Sequence, residues 1–530
     1  MYKKIVAIAL SISLISSIIL SSCDKFTLIE KTDKTTVEET ETTTTTTKSS
    51  ESGMTNTEIS TQEPIFIVPD EATPFVMQEG LGHKYDMDIE LDPEKQVVRG
   101  TVRIDIVNQT DSEWLNLVFR DYPSLFSDSE LVDYSDFVPE KDREILTRIS
   151  YFEDESGEIL AFERDTVDYS VITVTLKDPI APGQRHTIEY EFEASIPTIS
   201  DRYGAFDGCY NIANFYPVLS IYENGEWSRE PYIDMGECFY TIISDYTVRI
   251  KTPVDFALAS TGLTIDVEET ADGKYWNISA PCARDFTFVA GADFHLLSEE
   301  VDGVKIEAYY LGDDIDFGQA ILEAGVDSIR AFGEAFGKYP YPDVNIFETA
   351  LFAGGMEYSG LVMIGSDLQY YSDDYSVVKE VTAHELGHQW FYGIIGTDPY
   401  NEPWLDESFA SFTEIVYADV IGDDYLSSMF DSYGPDSYYG ENSTPINRAY
   451  DEFVSDYQYY ESAYTTGQAM LYYLREAMGD EVFYHMMRTY VSRHAFGIVT
   501  EDDFLNVIYE YCGADNAEIN GILDFYIDKD

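Results

Sequence analysis

Residues 381–390 read Val-Thr-Ala-His-Glu-Leu-Gly-His-Gln-Trp, and this stretch decides how the rest of the chain is interpreted. His384 and His388 are two of only seven histidines in the chain, and they are four residues apart. On an α-helix this spacing places two side chains on one face, about one turn apart, as two ligands of one metal ion must be. Glu385 points to a neighbouring face, from which its carboxylate can reach a water at the metal. A helix with two hydrogen-bonded surface histidines gives the same motif, so the neighbouring sequence must distinguish this interpretation from a metal site.

A third ligand of suitable type follows in the next predicted helix. Glu407 lies nineteen residues after His388, within residues 404–409. Two imidazoles and one carboxylate leave the fourth position of a tetrahedral zinc ion open, which is typical of a catalytic rather than a structural site. The sequence therefore predicts one zinc ion bound by His384, His388 and Glu407. About two helical turns after Glu407, Glu414 can support a ligand histidine or be an ordinary solvated carboxylate.

The charge balance excludes one large class of partner. The chain has 530 residues, with 99 acidic against 32 basic side chains, and a formal net charge of −67. Nucleic-acid binding depends mostly on lysine and arginine side chains that neutralise phosphates, so we expect no nucleic-acid partner. Hydrophobic residues make up 44% of the chain and aromatic residues 15%, which is enough for large cores and argues against disorder over most of the length.

The first residues predict export. Two lysines precede an apolar stretch that ends near Leu20, a pattern typical of a secretory signal peptide and too short to span a membrane comfortably. Residues 20–23 read Leu-Ser-Ser-Cys, which resembles a bacterial lipobox, in which the cysteine is lipidated and becomes the new N-terminus. We therefore expect residues 1–23 to be a lipoprotein signal peptide, and Cys23 to anchor the mature protein to the bacterial cell membrane with its folded domains outside the cytoplasm. An ordinary cleaved signal with a chance cysteine is the alternative.

Residues 24–75 are predicted to be a disordered tether. Thr, Ser and Glu dominate this segment, which includes an unbroken run of threonine over residues 42–47. So few apolar side chains cannot offset the conformational entropy of the chain. The tether would lift the folded domains off the membrane surface.

Two hydrophobic patterns divide the remainder of the chain. From residue 76 to 297, short segments alternate apolar and polar residues between turn residues, which is typical of half-buried antiparallel strands. From residue 298 to 530, after one further strand, apolar residues follow helical spacing. The sequence therefore predicts an α+β multidomain fold, with an all-β sandwich or saddle over 76–297 and a mostly helical domain with a small sheet over 298–530.

The cysteines leave the disulfide state open. Positions 209, 238, 282 and 512 could form up to two bridges outside the cell. Cys209 with Cys238 is the favoured pair, and free buried thiols are the alternative.

Four motifs follow one another in the second half: Gly354-Gly355-Met356-Glu357-Tyr358, the His-Glu-x-x-His motif with eighteen residues before Glu407, Trp404-Leu405-Asp406-Glu407, and Tyr464-Thr465-Thr466-Gly467. In this order they resemble the gluzincin aminopeptidases of the aminopeptidase N and leukotriene hydrolase type. The strand-rich half also resembles bacterial members, so the likeness covers roughly residues 80 to 530. It implies a thermolysin-like zinc peptidase domain over 298–530, which removes residues from peptides with a free N-terminus.

The resemblance also implies a role for the matched side chains. Glu385 would act as general base and then acid, Tyr464 would stabilise the oxyanion of the tetrahedral intermediate, and Glu357 would hold the α-ammonium of the substrate. The peptide backbone would pair as an added strand with the three residues before Glu357, which are Gly354, Gly355 and Met356. The two glycines lack side chains and therefore allow a close approach.

Two positions and the end of the chain depart from the family pattern. Tyr358 stands where the family usually has Asn, and Thr466 stands where it has Lys. Relatives of full size continue with a long helical domain that closes over the cleft, whereas this chain ends at Asp530. The resemblance therefore implies a more open cleft.

Three functions are compatible with these motifs. The first is a lipid-anchored zinc aminopeptidase. The second is a zinc endopeptidase of the thermolysin type, which shares the ligand set but not the eighteen-residue spacing or Glu357. The third is a surface binding protein that keeps the fold without turnover, and no feature of the sequence favours it because every catalytic position is filled.

Overall fold

The computed structural model describes residues 66, 68–69, 73–127, 147–233, 236, 239–423, 430, 433–434 and 438–529. The predicted signal peptide, Cys23 and most of the predicted tether lie outside these residues. In the part of the chain that is described, no helix is both long enough and apolar enough to cross a membrane.

Where the structure describes the first half of the chain, it consists of strands and one short 3-10 helix, Tyr122–Ser127, which follows the third strand. The strands are β1 (Lys84–Asp92), β2 (Val97–Val107), β3 (Trp114–Arg120), β4 (Arg148–Asp154), β5 (Phe162–Arg164), β6 (Val171–Ile180), β7 (Arg185–Ser195), β8 (Tyr203–Phe206), β9 (Cys209–Ile212), β10 (Val218–Leu219), β11 (Tyr222–Glu223), β12 (Glu226–Trp227), β13 (Ser244–Thr252), β14 (Ala257–Ser260), β15 (Leu263–Thr270), β16 (Gly273–Ala283) and β17 (Phe288–Gly291). Alternation explains them: in β1, Tyr85, Met87, Ile89 and Leu91 are buried, while the residues between them face solvent wholly or in part.

These strands form several sheets around one core. The largest sheet has the order β15-β16-β13-β1-β2-β7-β4, in which β1 and β13 run parallel and the other neighbours run antiparallel. Two four-stranded sheets, β10-β3-β6-β5 and β14-β17-β9-β8, and the hairpin β11–β12 complete this half. The inward faces share a continuous hydrophobic core, so the predicted β-sandwich or saddle is confirmed.

The second half combines a small sheet with helices. Its strands are β18 (Phe294–Val301), β19 (Val304–Leu311), β20 (Asp343–Thr349), β21 (Gly355–Tyr358) and β22 (Leu361–Gly365). Its helices are α1 (Ile315–Phe336), α2 (Ser376–Gly387), α3 (Trp404–Ile421), α4 (Tyr438–Ser443), α5 (Asp456–Tyr460), α6 (Gly467–Met478), α7 (Asp480–His494), α8 (Glu501–Cys512) and α9 (Ala517–Tyr526), with 3-10 helices at Ser366–Tyr370 and Tyr450–Glu452 and a π-helix at Glu461–Thr466. The predicted α+β fold with a mostly helical second domain is confirmed.

The small sheet lies between the helices and the first half. Its order is β18-β19-β20-β22-β21, so β21 is an edge strand, antiparallel to β22. Val344 and Ile346 of β20 pack into the core formed by the helices, whereas Phe347 of β20 and Met356 of β21 pack into the core of the first half. The domain boundary predicted at 297/298 stays a prediction, and β18 runs across it.

One buried arginine connects the two halves. Arg284, in the turn between β16 and β17, is only 2% exposed. Its guanidinium donates hydrogen bonds to the backbone carbonyls of Thr241 (3.1 Å), Tyr392 and Gly497 (2.7 Å). At Gly396 a Cβ would lie 2.2 Å from the guanidinium carbon, so the second half has room for this group only because residue 396 is a glycine. Arg284 thus binds backbone segments from both halves.

The three cysteines that the structure describes are free and buried: Cys209, Cys282 and Cys512. The favoured Cys209–Cys238 disulfide is therefore wrong, because Cys209 is a free thiol. Cys238 itself lies outside the described residues. Burial raises the pKa of the Cys282 thiol to about 11, which keeps it protonated and unreactive at neutral pH.

We expect Arg284→Met to lower the free energy of unfolding by at least about 3 kcal/mol, because several buried carbonyls lose a charged donor at once. Urea denaturation followed by intrinsic fluorescence measures this. The matched control is Arg148→Met, since the Arg148 side chain is 84% exposed, and it should change the free energy by less than about 0.5 kcal/mol. Equal stability of the two variants would contradict the role of Arg284.

Candidate active site

Helices α2 and α3 bring the three predicted metal ligands together. His384 lies in the last turn of α2, His388 directly follows that helix, and Glu407 lies in the first turn of α3; all three side chains are buried. The two Nε2 atoms are 3.2 Å apart, and Glu407 Oε2 lies 3.5 Å from His384 Nε2 and 3.4 Å from His388 Nε2. Metal–ligand bonds of about 2.0–2.1 Å at tetrahedral angles separate ligand atoms by about 3.3–3.4 Å. The triangle of donor atoms therefore fits a tetrahedral zinc ion with its fourth position open.

Carboxylates on α3 orient both imidazoles. Glu414 Oε1 lies 2.8 Å from His384 Nδ1, and Asp406 Oδ1 lies 2.7 Å from His388 Nδ1. Each ring therefore donates from Nδ1 and turns Nε2 toward Glu407, as metal-ligating histidines usually do. Burial lowers the pKa of His384, but hydrogen bonds to Glu407 and Glu414 outweigh burial and raise it to about 10. These carboxylates favour a positive charge at the site, which a divalent cation would supply.

Asp406 is a site residue that the sequence interpretation missed. It belongs to the Trp-Leu-Asp-Glu motif, but the sequence motif predicts no role for it. The signal was available in the helical pattern, because residues 406 and 407 occupy neighbouring faces and both can reach α2. Its burial matches its contact with His388, since only 1% of the residue is exposed.

Glu385 lies directly against the edge strand β21. A Cβ placed on Gly355 would be 2.0 Å from Glu385 Oε1 and 2.3 Å from its Cδ. The Glu385 carboxylate therefore occupies the space that a side chain at position 355 would need. Gly355 was predicted to admit a peptide backbone, and the structure adds a second reason for glycine at this position. The preceding Gly354 has a φ of 90°, a conformation that favours glycine.

Glu357 places a second carboxylate beside the metal ligands. It is 4% exposed, and its Oε1 has no hydrogen-bond partner among the described residues. Ligand-type atoms of Glu357, Glu385 and His388 all lie within 4.8 Å of one another. Burial raises the pKa of Glu357 to about 8, His388 opposes this shift, and the Glu385 carboxylate adds to it. A buried carboxyl with an unused oxygen favours a cationic hydrogen-bond donor.

Tyr464 lies in the π-helix, beside the ligands His384 and Glu407. Its ring is parallel to the His384 imidazole, with centroids 6.0 Å apart and an interplanar angle of 8°. Burial and a hydrogen bond to Glu407 raise its pKa well above the usual value, so the phenol stays protonated and can donate. At Gly467 a Cβ would lie 1.7 Å from Ser408 Oγ, so this glycine lets the π-helix approach the residue next to Glu407.

The two residues that differ from the family motifs, Tyr358 and Thr466, make contacts with residues other than the predicted ligands. Tyr358 is fully buried in the core of the first half, and its ring centroid lies 6.4 Å from that of Phe239. The Thr466 hydroxyl is hydrogen-bonded to Ser443 Oγ at 2.5 Å. The structure thus brings the predicted ligands, Glu385, Glu357 and Tyr464 together, and gives Tyr358 and Thr466 packing contacts.

Sequence comparisons match this half of the chain to known proteins. Residues 321–526 match the model of the peptidase family M1 domain. Endoplasmic reticulum aminopeptidase 1 of Homo sapiens is 25% identical over 52% of this chain and 31% of its own length. Aminopeptidase N of Lactobacillus helveticus is 27% identical over 39% of this chain and 26% of its own length. The chain spans less than a third of the length of these curated relatives.

Solved structures are similar over more of the chain. The M1 zinc metallopeptidase from Deinococcus radiodurans has a TM-score of 0.59 at 16% identity, and covers 85% of this chain and 95% of its own. A variant of a two-domain M1 zinc metallopeptidase, solved with L-arginine, has a TM-score of 0.57 at 17% identity, and covers 88% of this chain and 97% of its own. At these identities the likeness concerns the fold, and it extends over both halves. Residues 321–526 are thus similar to the peptidase family M1 domain, and the fold of both halves is similar to that of M1 zinc metallopeptidases.

Proposed function

We propose that the protein is a zinc-dependent aminopeptidase that removes single residues from peptides with a free N-terminus. The observation that carries this proposal is Glu357, a buried carboxylate within 4.8 Å of the ligand-type atoms of Glu385 and His388. A substrate whose ammonium binds Glu357 has only its first peptide bond within reach of Glu385. The names of the curated relatives and the Deinococcus radiodurans variant solved with a Tyr-Ser-Ala substrate support the same activity.

We propose one zinc ion, held by His384, His388 and Glu407. When bound, zinc polarises the scissile carbonyl and lowers the pKa of water toward neutrality. Glu385 takes the proton of the attacking water and passes it to the leaving amine. The Tyr464 hydroxyl donates a hydrogen bond to the oxyanion that develops on the carbonyl, and its raised pKa keeps that proton in place.

Substrate binding follows from the position of β21 at the edge of the sheet. The peptide backbone would pair with this edge at Gly354, Gly355 and Met356 and place its ammonium at Glu357. The buried ammonium would donate a hydrogen bond to Glu357 Oε1, which has no partner among the residues that the structure describes. Because that interaction is desolvated, it contributes more than the same pair would in water.

We also propose the organisation of the whole chain. Residues 1–23 direct export, Cys23 carries the lipid anchor, residues 24–75 act as a tether, and the domains span 76–297 and 298–530 outside the cytoplasm. The support is the composition of the first 75 residues and the Leu-Ser-Ser-Cys sequence that ends at Cys23.

The anchor has a direct test. Cells grown with an alkyne-labelled fatty acid should label the wild-type chain, and Cys23→Ser should abolish the label and release the protein from the membrane fraction. A labelled, membrane-bound Cys23→Ser protein would contradict lipidation at this residue.

Glu385→Gln and Tyr464→Phe should each lower kcat by about 10²-fold or more, because one removes the base and the other an oxyanion donor. Both variants should retain one zinc per chain by elemental mass spectrometry. The control Glu323→Gln changes an exposed carboxylate on α1 that pairs with Lys379, and it should leave kcat unchanged. A near-normal kcat in either site variant would overturn the role assigned to it.

Aminoacyl-naphthylamides should be cleaved, a chelator should stop the reaction, and N-acetylated versions should be poor substrates because they lack the ammonium that Glu357 binds. Glu357→Gln should lower kcat/KM for the free amines by about 10- to 100-fold, the loss of one charged hydrogen bond. Steady-state kinetics on a panel of N-terminal residues measures both effects. Efficient cleavage of the acetylated peptides would instead favour a thermolysin-type endopeptidase.

A further inference from the structure

The residue after the second ligand histidine makes an unusual set of contacts. Gln389 is 1% exposed, and its side-chain amide is hydrogen-bonded on both sides. Its Nε2 donates to the backbone carbonyl of Tyr358 at 3.1 Å, and its Oε1 accepts from the backbone N–H of Gly360 at 2.8 Å. Gly360, with a φ of 71°, forms the turn between β21 and β22. One side chain thus connects the end of the metal-binding helix to the turn directly after Glu357.

The first half of the chain holds the same turn from another direction. Asp285 Oδ2 accepts hydrogen bonds from the hydroxyl of Tyr392 at 2.6 Å and from the hydroxyl of Ser359 at 3.4 Å. Tyr392 follows Gln389 by three residues, and Ser359 lies between the two backbone groups that Gln389 binds. The turn after β21 and the segment after α2 are therefore fixed to each other directly through Gln389 and indirectly through Asp285.

The mutual distance of these two segments matters because each carries part of the site. The segment after α2 begins at His388, and β21 carries Glu357. Neither Gln389 nor Asp285 was singled out in the sequence, and neither is a metal ligand. A shift of about 1 Å between an ammonium site and the reacting groups can cost about 10²-fold in rate. A buried amide that is hydrogen-bonded through both its Nε2 and its Oε1 holds such a distance more narrowly than an apolar contact would.

We propose that Gln389 is a positioning residue, which sets the distance between Glu357 and the metal-ligating histidines and thereby the preference for a free N-terminus. The proposal rests on the proposed aminopeptidase function, because it assumes that Glu357 binds the substrate ammonium. Gln389 acts through the Tyr358 and Gly360 backbone groups and does not touch the substrate. Its loss should therefore weaken recognition of the ammonium and leave zinc binding in place.

Two inhibitors separate these effects without turnover. Leucine hydroxamate carries the α-amine, and 4-methylpentanoyl hydroxamate is the same chelator without it. The ratio of their inhibition constants, deamino over amino, measures how much the ammonium contributes. Inhibition by the deamino compound alone reports whether the metal site is intact.

We expect Gln389→Met, which keeps the length of the side chain but removes the amide, to lower this ratio by about tenfold with the deamino constant unchanged. Gln389→Glu keeps an acceptor for the Gly360 N–H and loses the donor to Tyr358, so it should also lower the ratio and covers the case in which Gln389→Met does not fold. The matched control is Thr382→Val, which removes a buried hydroxyl bonded to Val378 O within α2. It should lower the melting temperature and leave the ratio unchanged.

The Glu357→Ala variant separates the ammonium-binding role of Glu357 from the positioning role of Gln389. If the ratio stays high in Glu357→Ala, the ammonium site of the proposed function is wrong. If Glu357→Ala lowers the ratio but the Gln389 variants do not, only the positioning role is wrong. If both lower it, the double variant should match Glu357→Ala alone. A further, additive loss in the double variant would show that Gln389 acts independently of Glu357, and would overturn the proposal.

Discussion

The geometry of the candidate active site depends on hydrogen bonds between carboxylates of α3 and the Nδ1 atoms of His384 and His388, the two predicted ligand imidazoles. Asp406, Glu407 and Glu414 all come from α3, so one helix supplies the third ligand and both orienting groups. This requires α2 and α3 to approach closely, and a Cβ on Gly387 would lie only 2.3 Å from Thr413 Oγ1. The glycine inside the His-Glu-x-x-His motif is therefore a packing requirement of the metal site. The distance between α2 and α3 therefore determines both the orientation of the imidazoles and the positions of the three donor atoms.

The same arrangement brings several acidic side chains together in a buried site with little access to water. Burial alone would drive the carboxyl groups toward their neutral forms, and their mutual repulsion adds to this tendency. Two positive charges relieve it in the proposed enzyme: a divalent cation at the imidazoles and a substrate ammonium at Glu357. The pKa of Glu407 is an instructive contrast, because burial raises it, yet the neighbouring histidines lower it to about 2. Glu407 faces the histidines and therefore stays ionised. Glu357 has a raised pKa, and its Oε1 has no hydrogen-bond partner among the described residues.

The sequence predicted those structural features that depend on a regular spacing of residues within one helix or strand. Four-residue spacing placed His384 and His388 on one helix face, and alternation predicted the strands of the first half. Contacts between distant segments carry no such periodic signal, which is why Gln389 was missed although it directly follows a predicted ligand. Asp406 was missed although its position beside Glu407 on a predicted helix did give a signal. Arg284 shows the limit most clearly: an isolated arginine in a turn gives no hint that its guanidinium is buried against carbonyls from both halves.

In the proposed aminopeptidase, net charge and local charge would act on different steps of peptide recognition. A formal charge of −67 attracts cationic N-termini from a distance, but ions at physiological strength screen that attraction beyond about 8 Å. Discrimination between a free and a blocked N-terminus needs an interaction of shorter range, from which water is excluded. A single carboxylate can supply it only if the backbone that carries it cannot move away from the metal. The hydrogen bonds of Gln389 and Asp285 to the turn after β21 provide this rigidity, so selectivity for the N-terminus depends on buried neutral contacts as much as on charge.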